Sequence, residues 1–193
     1  MVVGTWPEAR VFGWEEDGSW SDMGRLGDEL EVMGMAVYNG KLYAGTLPLA
    51  QVYRYDGDGR WTCTGQLDTT PEVRYRRAWS TAVFQGKLFF GTLPSGRVHS
   101  LEAGRNATCD RQLAPGWRHL AAVRSGGVLR LYIDGAEVGV STAFDPAAYD
   151  LSNQEPLQIG FGQHDYFRGR LSDLRLHRGA LSAAEIAVLG QSG

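Results

Sequence analysis

Carboxylates are the most numerous residues of this chain that could do chemistry, since Asp and Glu supply 22 of its 193 residues. Glycoside hydrolysis needs two of them about 5–10 Å apart, which on one strand means i, i+2 or i, i+4 spacing. The run 15–17 precedes a glycine turn, and Glu29 with Glu31 stands alone. We therefore expect solvated turn and edge carboxylates, and no catalytic activity of this chain by itself.

The spacing of histidines and arginines does not indicate an active site either. The four histidines are dispersed along the chain: His99, His119, His164 and His177. None has a Ser, Cys or acid at a catalytic-triad spacing, so acyl transfer is disfavoured. The run 74–77 holds three arginines and Tyr75, but its residues would alternate between the two faces of a strand. It therefore does not predict a sialidase-type site.

Two cysteines, Cys63 and Cys109, are too few for a disulfide framework. Neither stands near a second Cys or a His at zinc-ligand spacing, so a structural zinc site is not expected. One disulfide and two free thiols both remain open.

The charge balance excludes several classes of partner. The net charge is −3, with 19 basic and 22 acidic residues, which gives no excess to neutralise a phosphate backbone, so nucleic acid is not expected as a partner. No apolar run reaches the length of about 18 residues that a membrane span needs. The first ten residues lack the charged start and apolar middle of a signal peptide. An exported parent that has lost its signal and a fragment of a longer protein both remain open.

The segment 116–189 carries the clearest pattern of structural elements. Two strand-like runs, His119–Arg124 and Val128–Ile133, flank the sequence Ser-Gly-Gly, and the second ends in Asp134-Gly135. Asp-Gly between apolar runs predicts a tight turn with positive φ, followed here by a third strand over Glu137–Ser141. These residues therefore predict a three-stranded meander.

Helix is scarce in the sequence. Ser182 with Glu185 three residues later forms a capping box, and Gly190 ends the apolar run that follows. This predicts one helix over Ser182–Leu189. The segment Asp145–Tyr149 predicts one further helical turn. We expect less than about a tenth of the chain to be helical.

The first hundred residues repeat. The segment Met35–Pro48 recurs as Thr81–Pro94 at an offset of 81 − 35 = 46 residues, and both contain a Gly turn followed by Gly-Thr-Leu-Pro. An earlier half-unit, Val11–Leu26, parallels Val52–Leu67 at an offset of 52 − 11 = 41. The period predicts repeated units of short strands near 11–26, 35–67 and 81–113.

The C-terminal segment resembles the laminin-G-like modules of the concanavalin A-like lectin/glucanase superfamily. The matching motifs are W-R-H-L-A-A-V at 117–123, L-R-L-Y-I-D-G at 129–135, P-L-Q-I-G-F-G at 156–162, F-R-G-R-L-S-D-L-R-L at 167–176 and A-L-S-A-A-E-I at 180–186. The resemblance implies an all-β, jelly-roll sandwich used mainly for binding, with strands at 156–162 and 167–176 and a structural role for His119. Glucanases of this superfamily carry an E-x-D-x-x-E strand, and this sequence has none.

The N-terminal units resemble kelch-like or sialidase-like propeller repeats, with Y-D-G-D-G-R-W at 55–61 similar to an aspartate-box turn. Two and a half units cannot close a propeller, which typically needs four to eight blades. Three arrangements remain open: one sandwich shared with the C-terminal half, the end of a longer propeller, or assembly of several copies. We divide the chain into propeller-like repeats at 1–113 and a sandwich half at 114–193. Whether the two parts form one continuous domain remains open. The short junction Leu113–Trp117 favours a monomer, with strands of the C-terminal half paired to the 81–101 unit, over a homo-oligomer.

The family resemblance also implies candidate ligand residues. Laminin-G-like modules often bind calcium through carboxylate and carbonyl oxygens, and the candidate ligands are Asp145, Asp150 and Asp165. Carbohydrate would be bound by loop residues that combine an aromatic ring with hydrogen-bonding groups: Asn153, Gln154, Gln163, His164, Asp165 and Tyr166. Alternative aromatic platforms are Trp14, Trp20, Trp61 and Trp79, although a repeated tryptophan is more often part of a core.

These observations predict a non-catalytic recognition module that binds carbohydrate or a cell-surface glycoconjugate. One alternative is an accessory fragment of a glycosidase or sialidase, and another is a structural or assembly β protein. The resemblance implies an extracellular or cell-surface location, and no cofactor other than calcium is expected.

Overall fold

The structure is a computed structural model that describes residues 1–152, 154, 157, 159–160 and 167–191. The chain divides into two compact units, Met1–Leu101 and Glu102–Gly193. Both units are built on antiparallel strands, and the described residues contain a single α-helix. The prediction of an all-β fold with one short C-terminal helix is confirmed. The domain division at 113/114 stays a prediction.

The first unit contains ten strands in three antiparallel sheets. The strands are β1 (Val2–Gly4), β2 (Arg10–Trp14), β3 (Trp20–Arg25), β4 (Glu31–Tyr38), β5 (Lys41–Leu47), β6 (Gln51–Gly57), β7 (Arg60–Gln66), β8 (Arg77–Phe84), β9 (Lys87–Leu93) and β10 (Val98–Leu101). The sheets are the meanders β1-β2-β3, β4-β5-β6-β7 and β8-β9-β10. Consecutive pairing follows from the short turns, which leave no length for a crossover.

The predicted hairpin turns repeat in the structure. Asn39 and Gly40 have φ angles of 47° and 71°, and Gln85 and Gly86 have the same two values. Positive φ at both central residues matches the twist of the flanking strands, which is why a Gly turn is found at this place in both units.

The sequence analysis missed one copy of the Gly-Thr-x-Pro sequence. In chain order the three copies span 4–7, 45–48 and 91–94, and the missed copy, at 4–7, lies 45 − 4 = 41 residues before the second. In each of these Gly-Thr-x-Pro loops the Thr hydroxyl donates to a backbone carbonyl five residues on, at 3.1, 3.0 and 3.1 Å for Thr5, Thr46 and Thr92. The loops therefore share one local geometry across the three sheets.

Glycines let each sheet approach the next within this unit. A Cβ at Gly4 would collide with the Val32 side chain, and a Cβ at Gly45 would collide with the Ala78 carbonyl. Val32 and Ala78 are equivalent, since 78 − 32 = 46. The core between the first two sheets is apolar: Ala9, Val11, Leu26, Val32, Ala44 and Tyr53.

The sheets of the first unit do not form a closed propeller or barrel among the described residues. The first sheet has no counterpart of β4, and the third has no counterpart of β7. The resemblance to propeller-type repeats is therefore not supported, and what the structure shows is three antiparallel meanders.

The second unit contains the predicted meander, with β11 (Leu120–Ser125), β12 (Val128–Ile133) and β13 (Ala136–Val140). Asp134 and Gly135 have φ angles of 50° and 79°, as the turn prediction requires. The helix α1 spans Ala183–Gly190 behind a complete capping box. A 3-10 turn at Pro146–Ala148 is the additional turn expected there.

Two predictions for the second unit are wrong. The motif 167–176 forms no strand, and its apolar side chains are exposed. Asp173 has a φ of 55°, in the left-handed region that a strand does not contain. The strands β11, β12 and β13 form a sheet of their own, so the expected pairing with the 81–101 unit is not found among the described strands. The motif 156–162 lies partly outside the described residues.

Cys63 and Cys109 are both free thiols, which decides the question that the sequence left open. In the part of the chain that the structure describes, no helix is long and apolar enough to cross a membrane.

Candidate functional site

The residues predicted to bind carbohydrate fall mostly outside the described part of the chain. Five of the six lie there: Asn153, Gln163, His164, Asp165 and Tyr166. The remaining one, Gln154, is exposed in an irregular segment. The structure therefore does not show whether these side chains come together, and they stay predictions.

The two described calcium candidates each bind the backbone of their own turn. Asp145 Oδ1 accepts from the Ala147 amide at 3.0 Å, and Asp150 Oδ1 accepts from the Ser152 amide at 2.9 Å. The hydrogen bonds from Ser152 hold the pKa of Asp150 below its usual range. Among the described residues no group of three acidic, His or Cys side chains could hold a metal ion. These two carboxylates alone do not make a calcium cage, and Asp165 lies outside the described residues, so the calcium site stays a prediction.

A cleft of about 420 Å³ opens between the β11–β13 sheet and the start of α1. The hairpin places side chains of β12 and β13 on one of its walls, and the capping residues of α1 form the other. Its polar lining consists of Ser125, Arg130, Tyr132, Glu137, Ser182 and Glu185. A concave site with a few converging polar groups is the usual form of a small-ligand site.

An ion pair lies at the sheet wall of the cleft. Arg130 Nη1 is 2.6 Å from Glu137 Oε2, and the Tyr132 hydroxyl donates to the same carboxylate oxygen at 3.3 Å. The Glu137 carboxylate raises the pKa of Arg130 above its usual value. The ring of Tyr132 is buried, which fixes the position of its hydroxyl beside the ion pair.

The helix wall of the cleft is held by the capping box. Glu185 Oε2 accepts from the Ser182 amide and hydroxyl, both at 2.7 Å, and Ser182 Oγ accepts from the Glu185 amide at 3.3 Å. These bonds from Ser182 lower the pKa of Glu185. The lowered pKa favours the ionised form of Glu185, whose carboxylate can accept from a ligand hydroxyl.

The sequence analysis did not identify this cleft. The available signal was the Asp134-Gly135 turn, because its register sets Tyr132 opposite Glu137 and places Arg130 two residues away on the same face. The capping residues had been assigned only to helix formation. Their approach to the hairpin depends on tertiary packing, which the local pattern does not contain.

Two exposed tryptophans form an aromatic surface in the first unit. Trp14 and Trp20 face each other across the β2–β3 hairpin, with ring centroids 5.0 Å apart, and each is 45% exposed. The equivalent pair in the next sheet is Tyr55 and Trp61, at an offset of 61 − 20 = 41. Trp61 packs against the core and donates its indole N–H to the Met23 carbonyl at 2.8 Å. Equivalent tryptophans thus have different environments.

Two buried carboxylates, which we call the loop acids, bind the second and third Gly-Thr-x-Pro loops. Glu29 Oε2 accepts from the Leu49 amide at 3.1 Å, and Asp68 Oδ2 accepts from the Ser95 amide at 3.0 Å. The two amides are equivalent, since 95 − 49 = 46. The sequence analysis had assigned Glu29 to a solvated edge, which is wrong because its side chain is 1% exposed.

The loop acids have opposite pKa shifts. Burial raises the pKa of Glu29, because the Leu49 amide and Thr46 hydroxyl only partly offset the loss of water, and Glu29 Oε1 has no hydrogen-bond partner among the described residues. Burial also acts to raise the pKa of Asp68, but hydrogen bonds from Thr70 and Ser95 outweigh it and hold the pKa well below its usual range. Both acids serve the fold of the repeats.

His119 contributes through its backbone. Its carbonyl accepts from the Asp134 amide at 2.8 Å, and its own amide donates to Asp134 Oδ1 at 3.0 Å. Its ring atom Nδ1 is buried without a hydrogen-bond partner among the described residues. The expected structural role of the ring thus stays a prediction.

Comparison with known proteins gives one family match. The model of a laminin-G type family, described as the concanavalin A-like lectin/glucanases superfamily, matches residues 69–187, more than half of the chain and including every residue of the cleft. No curated protein sequence matches the chain. A crystal structure of an S-layer domain-containing protein (residues 221–444) from Clostridium thermocellum ATCC 27405 covers 97% of this chain and 99% of its own, at 18% identity and a TM-score of 0.37. Those values are too low to indicate a shared fold.

Proposed function

Since this chain belongs to the concanavalin A-like lectin/glucanase superfamily, we propose that it is a non-catalytic module that recognises carbohydrate or a glycoconjugate at a cell surface. The observation that carries the proposal is the cleft between the β11–β13 sheet and α1, which lies inside the matched segment. The residues predicted to bind carbohydrate at 163–166 belong to the same matched segment.

The chemistry of the cleft suits a polyhydroxylated ligand. The Arg130 guanidinium can donate to ring or hydroxyl oxygens, and the carboxylates of Glu137 and Glu185 can accept from hydroxyl groups. Hydrogen bonds to charged groups are stronger than neutral ones, which favours such a pairing in an open, hydrated cleft.

A hydrolytic role has less support. A glycosidase needs one carboxyl that stays protonated at working pH, whereas the pKa of Glu185 is lowered and Glu137 is paired with Arg130. The alternative in which the chain is an accessory fragment of a glycosidase is tested by adding aryl glycosides to this chain alone. We expect no turnover, and turnover would favour an enzyme.

Glycan-array binding of the whole chain is the direct test of the proposal. The array is read in millimolar calcium and again after EDTA, because calcium dependence is part of the proposal through Asp145, Asp150 and Asp165. Binding in both conditions would support the carbohydrate-binding function and show that it does not need calcium. Absence of binding in both would reject the proposed function and favour a structural or assembly protein.

The residue test uses two matched arginines. Arg130 and Arg175 both form exposed ion pairs at 2.6 Å, with Glu137 and Asp173 respectively. Arg130→Gln is expected to weaken binding of the array-selected glycan at least about tenfold, equivalent to about 1.4 kcal/mol. Arg175→Gln, outside the cleft, should bind as the parent does. Equal affinity of all three chains, measured by calorimetry, would show that the cleft is not the site.

A further inference from the structure

Within the first unit, one hairpin packs on the preceding sheet. The β6–β7 hairpin rests on β3, where a Cβ at Gly24 would collide with the Gly59 carbonyl and the Trp61 indole donates to the Met23 carbonyl at 2.8 Å. The contact therefore has a donor side, Gly59 and Trp61, and an acceptor side, the bulge at Met23 and Gly24. The register of β2 with β3 shows that bulge.

The donor side is present a second time without a partner. The equivalents of Gly59 and Trp61 are Gly18 and Trp20, at offsets of 59 − 18 = 41 and 61 − 20 = 41. Trp20 is 45% exposed, and no described residue accepts from its indole N–H. The β2–β3 hairpin thus carries the docking residues of β6–β7 and leaves them in solvent.

The acceptor side is also present a second time. The equivalents of Met23 and Gly24 are Thr64 and Gly65 on β7, where the register with β6 has the same bulge. Thr64 is exposed, and a Cβ at Gly65 would meet nothing within 4 Å. The third sheet has no counterpart of β7 to cover this bulge, since it contains only β8, β9 and β10.

We propose that the β2–β3 hairpin of one copy of this chain docks on the Thr64–Gly65 bulge of a second copy. The Trp20 indole then donates to the Thr64 carbonyl, as Trp61 does to Met23 within the chain. Donor and acceptor lie on different sheets, so the contact is heterologous: the copy that supplies the hairpin keeps a free acceptor, and the copy that supplies the bulge keeps a free donor.

This occupant is favoured over others by the internal interface itself. The chain shows a complementary partner for Trp61 and Gly59, and a second copy offers the equivalent bulge to Trp20 and Gly18. Buried tryptophans that donate a hydrogen bond are common anchors of interfaces. One hairpin on one bulge is a small contact, so association should vary with concentration and not be permanent.

Sedimentation velocity of the full chain from micromolar to millimolar concentration tests the proposal. We expect the average mass to rise with concentration, and Trp20→Ala to lower the association constant at least about tenfold. Trp79→Ala is the matched control, because Trp79 is 50% exposed but lies on β8. Thr64→Arg should abolish association from the acceptor side, whereas Thr69→Arg, at an exposed loop position, should not.

The two interface variants can be combined to test the head-to-tail geometry. Trp20→Ala keeps its bulge and Thr64→Arg keeps its hairpin, so each alone should be monomeric while their equimolar mixture forms a heterodimer and nothing larger. A chain that is monomeric at every concentration would overturn the proposal, as would association that neither variant weakens. If the parent chain is monomeric and Trp20→Ala no longer binds the glycan selected on the array, the Trp14–Trp20 pair would instead be a carbohydrate-binding surface.

Discussion

At the residue scale, the loop acids show how position decides the behaviour of a carboxyl group. Glu29 and Asp68 bind equivalent amides of the repeats, yet Glu29 receives too few donors to replace its lost water and Asp68 receives several. A buried charge is tolerated only where hydrogen bonds compensate for its desolvation. Two equivalent loops are therefore held by carboxyl groups with opposite preferences. The environment of Glu29 favours the protonated form, and that of Asp68 favours the ionised form.

The loop acids should give opposite pH dependences of stability. The folded pKa of Asp68 is depressed, so its stabilisation is present above about pH 4 and is lost as pH falls through the folded pKa. The folded pKa of Glu29 is raised, so its stabilisation is present below about pH 4 and is lost as pH rises through the folded pKa.

Urea unfolding across a pH series measures these contributions. Asp68→Asn should lower the free energy of unfolding at neutral pH by about 1–3 kcal/mol, because charge-assisted hydrogen bonds to Thr70 and Ser95 are weakened. Glu29→Gln should raise the free energy of unfolding at neutral pH and make that free energy fall less steeply as pH rises above about 4. A Glu29→Gln variant that is less stable than the parent at pH 7 would contradict the raised pKa.

At the element scale, the hairpins and the close approach of sheets depend on single glycines. Turns with positive φ set the hairpin registers, and glycines within strands set the distance from one sheet to the next. Gly135 belongs to the first kind and Gly45 to the second. Substitution at each should destabilise the chain for a different physical reason.

Gly135→Val tests the turn between β12 and β13. Gly135 has a φ of 79°, where a β-branched residue is strained, and a Cβ there would lie 2.9 Å from Ala187 Cα. We expect a loss of at least about 1 kcal/mol in the free energy of unfolding. Unchanged thermal melting of the variant would show that the assigned register of this hairpin is wrong.

Gly45→Ala tests the approach of β5 to β8. The new methyl group would collide with the Ala78 carbonyl, and overpacking of this kind costs about 1–3 kcal/mol. Gly91→Ala is the matched control, since it occupies the same place in the repeat and its Cβ would meet only the Ser80 hydroxyl, at 2.8 Å. Chemical denaturation should show a larger loss in the free energy of unfolding for Gly45→Ala than for Gly91→Ala. Equal losses would show that Gly45 is not needed for the close approach of β5 to β8.

At the scale of the whole molecule, the described core is unevenly divided between the two units. Most of the buried apolar residues lie in the first unit, whereas the second buries Tyr132 and Ile186 and exposes several large side chains: Trp117, Leu120, Leu171, Leu174 and Leu176. Apolar burial is the main favourable contribution to folding. The first unit should therefore be the more stable one.

Separate expression of the fragments 1–101 and 102–193 tests this difference. We expect the first to be soluble, β-rich by circular dichroism and cooperative in urea, because its core cluster lies wholly within it. The second should unfold at lower denaturant or associate through its exposed apolar side chains. An insoluble first fragment would instead favour one continuous domain.

The sequence by itself determined the elements whose signals are local. The Asn39-Gly40 and Asp134-Gly135 turns, the capping box of Ser182 and the 46-residue repeat each depend on neighbouring residues, so the hairpins and the helix followed from them. The laminin-G-like motifs identified the superfamily, because the order of several short patterns is specific even where each is weak.

Only the tertiary structure decided which residues meet. It placed Arg130 and Glu137 opposite the start of α1 and buried Glu29. It also left Trp20 exposed, while its equivalent Trp61 packs against the core. The strand predicted at 167–176 failed because a strand needs a hydrogen-bonding partner that its own residues do not specify. Burial and pairing depend on residues far apart in the chain, and equivalent patterns differ whenever one copy has a neighbouring sheet and another does not.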